Sequence, residues 1–291
     1  MDKKNFRQKV LYSPLTKIVI ACFVFGCILV IGAVIKDFVT FNRNLSFLLQ
    51  GIIVPILTIV SFSWLYKVFE KRKFTEFSIN GIGKNFTIGL MLGLILYVLT
   101  VLAVFFIGGY EVAISINSVV FIIPPLAGAL TTSILEETLF RGFIFRIVEE
   151  KLGSYITLII SAIIFGLPHI VSDNSAGFLM ATIMGLLLAI YYMYSRNLWC
   201  VIALHFAWNF SNQYIFGINV RSHSKLITFK FEGGAEWFAN GDFGVNTDIF
   251  TSCCCLVAAI VFLILCHRNG KIIKPYWNGM KQSPNKDLLT K

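Results

Sequence analysis

Eight windows of about 20 predominantly apolar residues, the length that crosses a bilayer core as a helix, follow one another along this 291-residue chain. They fall at roughly 18–35, 46–66, 86–108, 117–140, 155–171, 175–194, 198–216 and 248–266. An all-α polytopic membrane protein of about eight transmembrane helices is the expected fold class. Composition agrees: 57% of residues are hydrophobic, 28 are Phe, and 14% are charged, against about 25% charged in soluble domains.

The basic stretch Met1 to Lys17 precedes an apolar run from Ile18 to Ile35. That run exceeds the roughly 7–15 apolar residues of a signal peptide, so an uncleaved first helix is expected. The net charge of +10 does not point to nucleic acid, because each small basic cluster flanks an apolar window, the pattern of topological anchors. Of the 25 Lys and Arg, 20 fall on the side of the N-terminus; only Lys36, Arg43, Arg221, Lys225 and Lys230 fall on the other. Both termini are therefore expected in the cytoplasm. Richness in Lys, Ile, Asn and Phe is compatible with a low-GC bacterium, which would make the plasma membrane the site of residence.

No internal repeat or domain boundary is evident. The whole of 1–291 reads as a single transmembrane domain, with a motif-bearing core at 118–216, an external loop at 217–247 and a cytoplasmic tail at 267–291. The fourth window is unusual in holding Pro124-Pro125, which neighbouring helices would have to shelter. Alternation over Leu226-Ile227-Thr228-Phe229-Lys230-Phe231 predicts a small hairpin within the external loop. The basic tail is expected to meet anionic lipid. Tyr191, Tyr192 and Tyr194 read as an interfacial aromatic belt, and His223 and His267 as solvated positions at the membrane edges. The seven cysteines, Cys22, Cys27, Cys200, Cys253, Cys254, Cys255 and Cys266, form no paired framework and read as small apolar packing residues.

Polar clusters interrupt three of these windows: Glu136-Glu137 with Arg141, His169 after Phe165, and His205 with Asn209. Ionisable groups are costly in hydrocarbon and mark functional sites there. Acid, base and amide together are the set that activates water and steadies an oxyanion. Leu152-Gly153-Ser154 is a turn signal, with Glu136 17 residues before Gly153 and His169 16 after it. At about 1.5 Å per residue an antiparallel hairpin carries both to similar depth, roughly 25 Å from the turn. His205 and Asn209 share a helix face, as do Phe165 and His169, and Glu137 and Arg141. Glu137 and Arg141 can thus neutralise each other, whereas Glu136, about 100° round the helix, is left for general-base work. Two histidines and a carboxylate could also form an open zinc site with water in the fourth position. HExxH spacing is absent, however, and an oxyanion-donating amide explains Asn209 better than a zinc ligand does.

Glu136-Glu137-x-x-x-Arg141, Phe165-x-x-x-His169 and His205-x-x-x-Asn209, in this order, resemble the three motifs of the CPBP family of CAAX endopeptidases and bacteriocin-processing or immunity proteins. The resemblance covers about 118–216, and no motif position is substituted. A weaker likeness lies in Gly234-Ala235-Glu236-Trp237 and Gly241-Asp242-Phe243-Gly244. The resemblance implies that Glu136 is the essential carboxylate and that His169 helps it activate water. It implies that His205 and Asn209 stabilise the oxyanion, and that Glu137 and Arg141 hold the helix geometry. Cofactor alternatives remain none or a single zinc ion, on His169 and His205 if present.

Three functions compete at this level. The first is an intramembrane endopeptidase acting between spans 4, 5 and 7 on a peptide or lipidated protein. The second is a non-catalytic immunity or scaffold protein that binds a peptide or sensor partner. The third, a proton-coupled transporter, predicts repeated, glycine-interrupted half-helices in both halves of the chain, and no such pair is present.

Overall fold

The computed structural model describes residues 11–39, 42–70, 75–108, 110–116, 122–173, 175–216, 226–233 and 243–275. Helix α1 (Pro14–Phe38) is capped by Ser13, whose side chain accepts from the Thr16 amide, and α2 (Arg43–Phe69) by Asn42, which accepts from Leu45. Each cap satisfies one of the donors left over in a first helical turn. Helix α3 (Ile82–Gly108) follows Gly81, which turns the chain at φ 71°.

The fourth helical run is composite. Helix α4 (Ile123–Glu137) passes into a π-helical stretch, Thr138–Phe145, and then into α5 (Arg146–Leu152). Helices α6 (Ser154–Asp173), α7 (Ser175–Ser195) and α8 (Leu198–Phe210) follow. A second π-helical stretch, Ser211–Ile215, extends α8, and α9 spans Phe243–Arg268. Eight helical runs thus occupy the eight apolar windows. Five meet a span criterion by length and composition alone: Pro14–Phe38, Arg43–Phe69, Ile82–Phe106, Gly177–Ser195 and Ile249–Arg268. The remaining three carry the polar motifs, whose charge or shortness is what sets them apart.

Three expectations need correction. Pro124-Pro125 do not interrupt a span; they occupy the first turn of α4, where a missing N–H costs no helical bond. The run therefore starts at Ile123 and continues to Leu152. The alternating segment at 226–231 is a strand, but its partner is not local. Strand β2 (Ile227–Gly233) pairs antiparallel with β1 (Tyr110–Ile116), from Tyr110 opposite Gly233 to Ile116 opposite Ile227. Strand β1 follows α3 directly, so the ribbon ties the connection after α3 to the one before α9.

Tyr191 and Tyr192 are not an interfacial belt. Both are buried, Tyr191 against Phe262 and Tyr192 against Phe145, because α7 packs between α6 and α9. The start of the segment after Arg268 is fastened to the bundle. Ile273 accepts from the Ser154 amide and its own N–H donates to Ser154 Oγ, both at 2.9 Å. Gly153, at φ 76°, leaves room for this strap: a Cβ there would lie 2.7 Å from Pro275 N. His267 is exposed, as expected, whereas His223, the 234–242 motif-like segment and the chain beyond 275 lie outside the described residues. All seven cysteines are free; Cys200, Cys255 and Cys266 are buried, while Cys22, Cys27 and Cys253 are exposed.

Helix α8 is the axis of the bundle. Leu198, Val201, Ile202, Ala203 and Leu204 are wholly buried. Two glycines allow α3 to approach it: a Cβ on Gly89 would stand 2.0 Å from Cys200 O, and one on Gly93 2.5 Å from Leu204 O. Small residues four apart permit such close backbone contact between helices in lipid. Outward-facing Phe23, Phe106, Ile159 and Val257 are largely exposed, as suits a chain whose solvent is hydrocarbon.

At the Gly153 end the helix termini are joined by buried ion pairs. Arg146 Nη1 donates to Glu76 Oε1 at 2.9 Å and to the Tyr66 hydroxyl at 2.7 Å, and Tyr66 donates to Gly142 O at 2.8 Å. Glu76 O accepts from the Leu198 amide that opens α8. Arg196 grips Glu149 with both terminal nitrogens, at 2.5 and 3.0 Å, a bidentate geometry well suited to a charged pair.

Candidate active site

Glu136 and Glu137 are the last two residues of α4, and the π-helical stretch begins at the next residue. Such widened turns recur at functional sites; here one carries Arg141, and the other begins two residues after Asn209. Glu137 is fully buried. Its Oε1 accepts from Arg141 Nη1 at 3.1 Å and lies 2.8 Å from His205 Nδ1. An ionised carboxylate can only accept, so opposite a charged Glu137 the His205 ring donates from Nδ1. That fixes the orientation of the ring and leaves Nε2 for other partners.

Arg141, also fully buried, donates through Nη2 to Gly185 O at 2.8 Å, and its guanidinium carbon stands 4.3 Å from the centre of the Phe165 ring. The Phe165 ring meets His205 edge-to-face at 5.9 Å, Phe140 at 5.2 Å and His169 at 6.4 Å. One phenylalanine thus sits among all three polar clusters, supporting Arg141 by a cation–π contact of the kind that strengthens in a dry environment.

Glu136 is half-buried, on a different side of α4 from Glu137. Its carboxylate is within electrostatic reach of His205, Glu137, His169 and Arg141. His169, half-buried, directly follows Pro168 in α6. Asn209 lies one turn beyond His205 and is half-buried. The fold therefore gathers Glu136, Glu137, Arg141, Phe165, His169 and His205 around one point, with Asn209 on the same α8 face as His205.

Two features were not anticipated from sequence. Glu137 holds His205 as well as Arg141, across 68 residues of chain. The sixth span also joins the site through the Gly185 carbonyl, so four spans rather than three build it. Gly185 carries no motif; its only sequence signal is a residue without a side chain inside an apolar helix.

Among the described residues no group of three or more His, Cys, Asp or Glu side chains is placed to hold a metal ion, while the Nδ1 contact of His205 with Glu137 leaves its Nε2 open. Glu137 Oε2 and Arg141 Nε are buried without a protein hydrogen bond, but a carboxylate oxygen beside a guanidinium is not an open metal position. No step below is routed through a metal.

Apolar helices thus enclose a buried carboxylate–histidine centre. Residues 118–211, which hold every residue of that centre, match the family described as type II CAAX prenyl endopeptidase Rce1-like. Over this segment the chain is similar to that family. No curated protein shows significant similarity to the chain.

Proposed function

We propose that this protein is a glutamate-dependent intramembrane endopeptidase that cleaves a membrane-associated peptide or lipidated protein. The reading is supported by Glu136 standing within electrostatic reach of both His169 and His205, in a segment that matches an endopeptidase family. Glu136, assisted by His169, takes a proton from water as it attacks the scissile carbonyl. His205 Nε2 and the Asn209 amide face the developing oxyanion, where donors fixed in a low-dielectric site have their greatest effect.

Glu137 gives this scheme its electrostatic logic. With Nδ1 already donating to Glu137, His205 can donate to an oxyanion only when Nε2 is also protonated. The resulting imidazolium is offset by the Glu137 carboxylate. Arg141, held by Gly185 and Phe165, keeps that carboxylate ionised and in place. The proposed setting is a bacterial plasma membrane with both termini cytoplasmic, which the distribution of Lys and Arg supports.

Cleavage of a quenched-peptide panel by purified protein in detergent, wild type beside Glu136→Gln, tests the reading. Cleavage is expected from the wild type alone and should survive a chelator. Equal cleavage by both would remove Glu136 from the chemistry. Loss on chelation with recovery on adding zinc would make the enzyme metal-dependent. Retention of biological function by Glu136→Gln would instead support an immunity or scaffold role.

A further inference from the structure

The residue of the sixth span that reaches into the candidate site belongs to none of the three motifs. The α7 backbone passes so close to Arg141 that Gly185 O accepts from Nη2 at 2.8 Å. On the same residue, a Cβ would stand 3.0 Å from Phe165 Cβ and Cδ1 and 3.2 Å from Cγ. Phe165 in turn carries the Arg141 guanidinium on its face and the His205 ring against its edge. One glycine thus fixes both supports of the Glu137–His205 pair: the hydrogen bond that orients Arg141, and the clearance that lets the Phe165 ring lie beneath it.

We infer that Gly185 is a positioning residue, setting the orientation of His205 through Arg141–Glu137 and through Phe165. Its helix is also held by contacts away from Gly185. Helix α7 packs on α6, where a Cβ on Gly166 would meet Thr182 Oγ1 at 2.1 Å, and on α9 through Tyr191 and Phe262. Displacement at Gly185 therefore falls on Phe165 and Arg141 rather than on α7 as a whole. Reorientation of a reacting group by about 1 Å can cost about 100-fold in rate, so a single methyl at this contact is enough to be read in turnover.

The inference rests on the peptidase reading for its kinetic consequence but not for its geometry, and the test separates the two. Gly185→Ala is compared in the wild-type and Phe165→Gly backgrounds, since a glycine lacks all three side-chain atoms that the new methyl would meet. In the wild-type background kcat should fall about 10- to 100-fold with KM little changed. In the Phe165→Gly background the same change should cost less than about twofold, because the steric conflict is gone. Equal losses in both backgrounds, or no loss in either, would overturn the inference. Should Gly185→Ala fail to fold alone, the pair in the Phe165→Gly background still decides it, since a large loss there refutes a role through Phe165.

A readout independent of turnover is the Nδ1–H resonance of His205 in protein labelled with 15N-histidine. The chain has four histidines, and His205→Asn assigns the signal. Gly185→Ala should shift this resonance in the wild-type background and leave it in place in the Phe165→Gly background; an unmoved resonance in both would refute positioning. A wild type that cleaves no peptide but shows the predicted shift would end the peptidase reading while sustaining the role of Gly185.

Discussion

His205 Nδ1 and Glu137 Oε1 are 2.8 Å apart, and the same oxygen accepts from Arg141 at 3.1 Å. One carboxylate thereby anchors a histidine from α8 and an arginine from its own helical run, while its neighbour Glu136 is half-buried. The roughly 100° between adjacent helical residues turns the two glutamates to different sides.

That division predicts different defects from isosteric changes. Glu136→Gln should keep the melting temperature within a few degrees while lowering turnover by about 100- to 10,000-fold, the range attributed to a lost general base. Glu137→Gln should lose stability as well, because it leaves the Arg141 guanidinium buried without its counter-charge, a defect of about 3–5 kcal/mol. Thermal unfolding in detergent beside peptide cleavage measures both; an unchanged melting temperature for Glu137→Gln would sink the anchoring role.

The helices were legible because hydropathy and length act locally: each apolar window of about 20 residues needs only its own sequence to become helical. The pairing of Glu137 with Arg141 was legible for the same reason, as an i, i+4 spacing. The bond from Glu137 to His205 and the carbonyl from Gly185 were not, because each joins residues brought together by packing between different helices. Strand β2 shows both sides of this. Its alternation marked it as a strand, but the choice of β1 over a local hairpin is set by where α3 ends. The start of α4 was misplaced because a proline pair looks alike in sequence whether it opens a helix or bends one.

Glycines at helix contacts should divide sharply by what surrounds them. Gly89→Ala places a methyl within 2.0 Å of a backbone carbonyl of α8, which cannot move aside as a side chain would. A loss of at least about 1–3 kcal/mol is expected, as for other overpacked sites. Gly26, in α1, has nothing within 4 Å of a Cβ, so Gly26→Ala should be neutral or stabilising by up to about 1 kcal/mol through helix propensity. Similar melting temperatures for the two variants would contradict the close α3–α8 contact.

The strap after α9 offers a third test. Ser154 Oγ donates to Glu149 Oε1 at 2.7 Å and accepts from the Ile273 amide at 2.9 Å, so it fastens the strap to the α5–α6 turn. Ser154→Ala should lower stability by about 1 kcal/mol, since it removes the acceptor of the Ile273 amide and one of the donors to Glu149. It should also speed proteolysis between Arg268 and Pro275 in the otherwise intact protein. Unaltered cleavage kinetics in that segment would mean that the strap is held by other contacts.

The last prediction concerns pH and the loop residue Glu76. Burial raises its carboxyl from the ordinary glutamate range to about 7, outweighing the hydrogen bonds from backbone amides and Tyr66 that favour the ionised form. Between about pH 4.5 and 7 the folded chain therefore holds a proton there that the unfolded chain has released. By linkage, stability falls as pH rises through this window. The Glu76 contribution is fully present below about pH 4.5 and is lost by the time pH passes 7, a change of about 3 kcal/mol. Glu76 also links α2, α5 and α8 through Tyr66, Arg146 and Leu198, so its ionisation is felt where the site helices begin. Melting temperatures measured from pH 5 to pH 8 should decline in the wild type. Glu76→Gln, which cannot titrate, should show a flatter profile. A variant whose slope matches the wild type would show that another group governs the pH response.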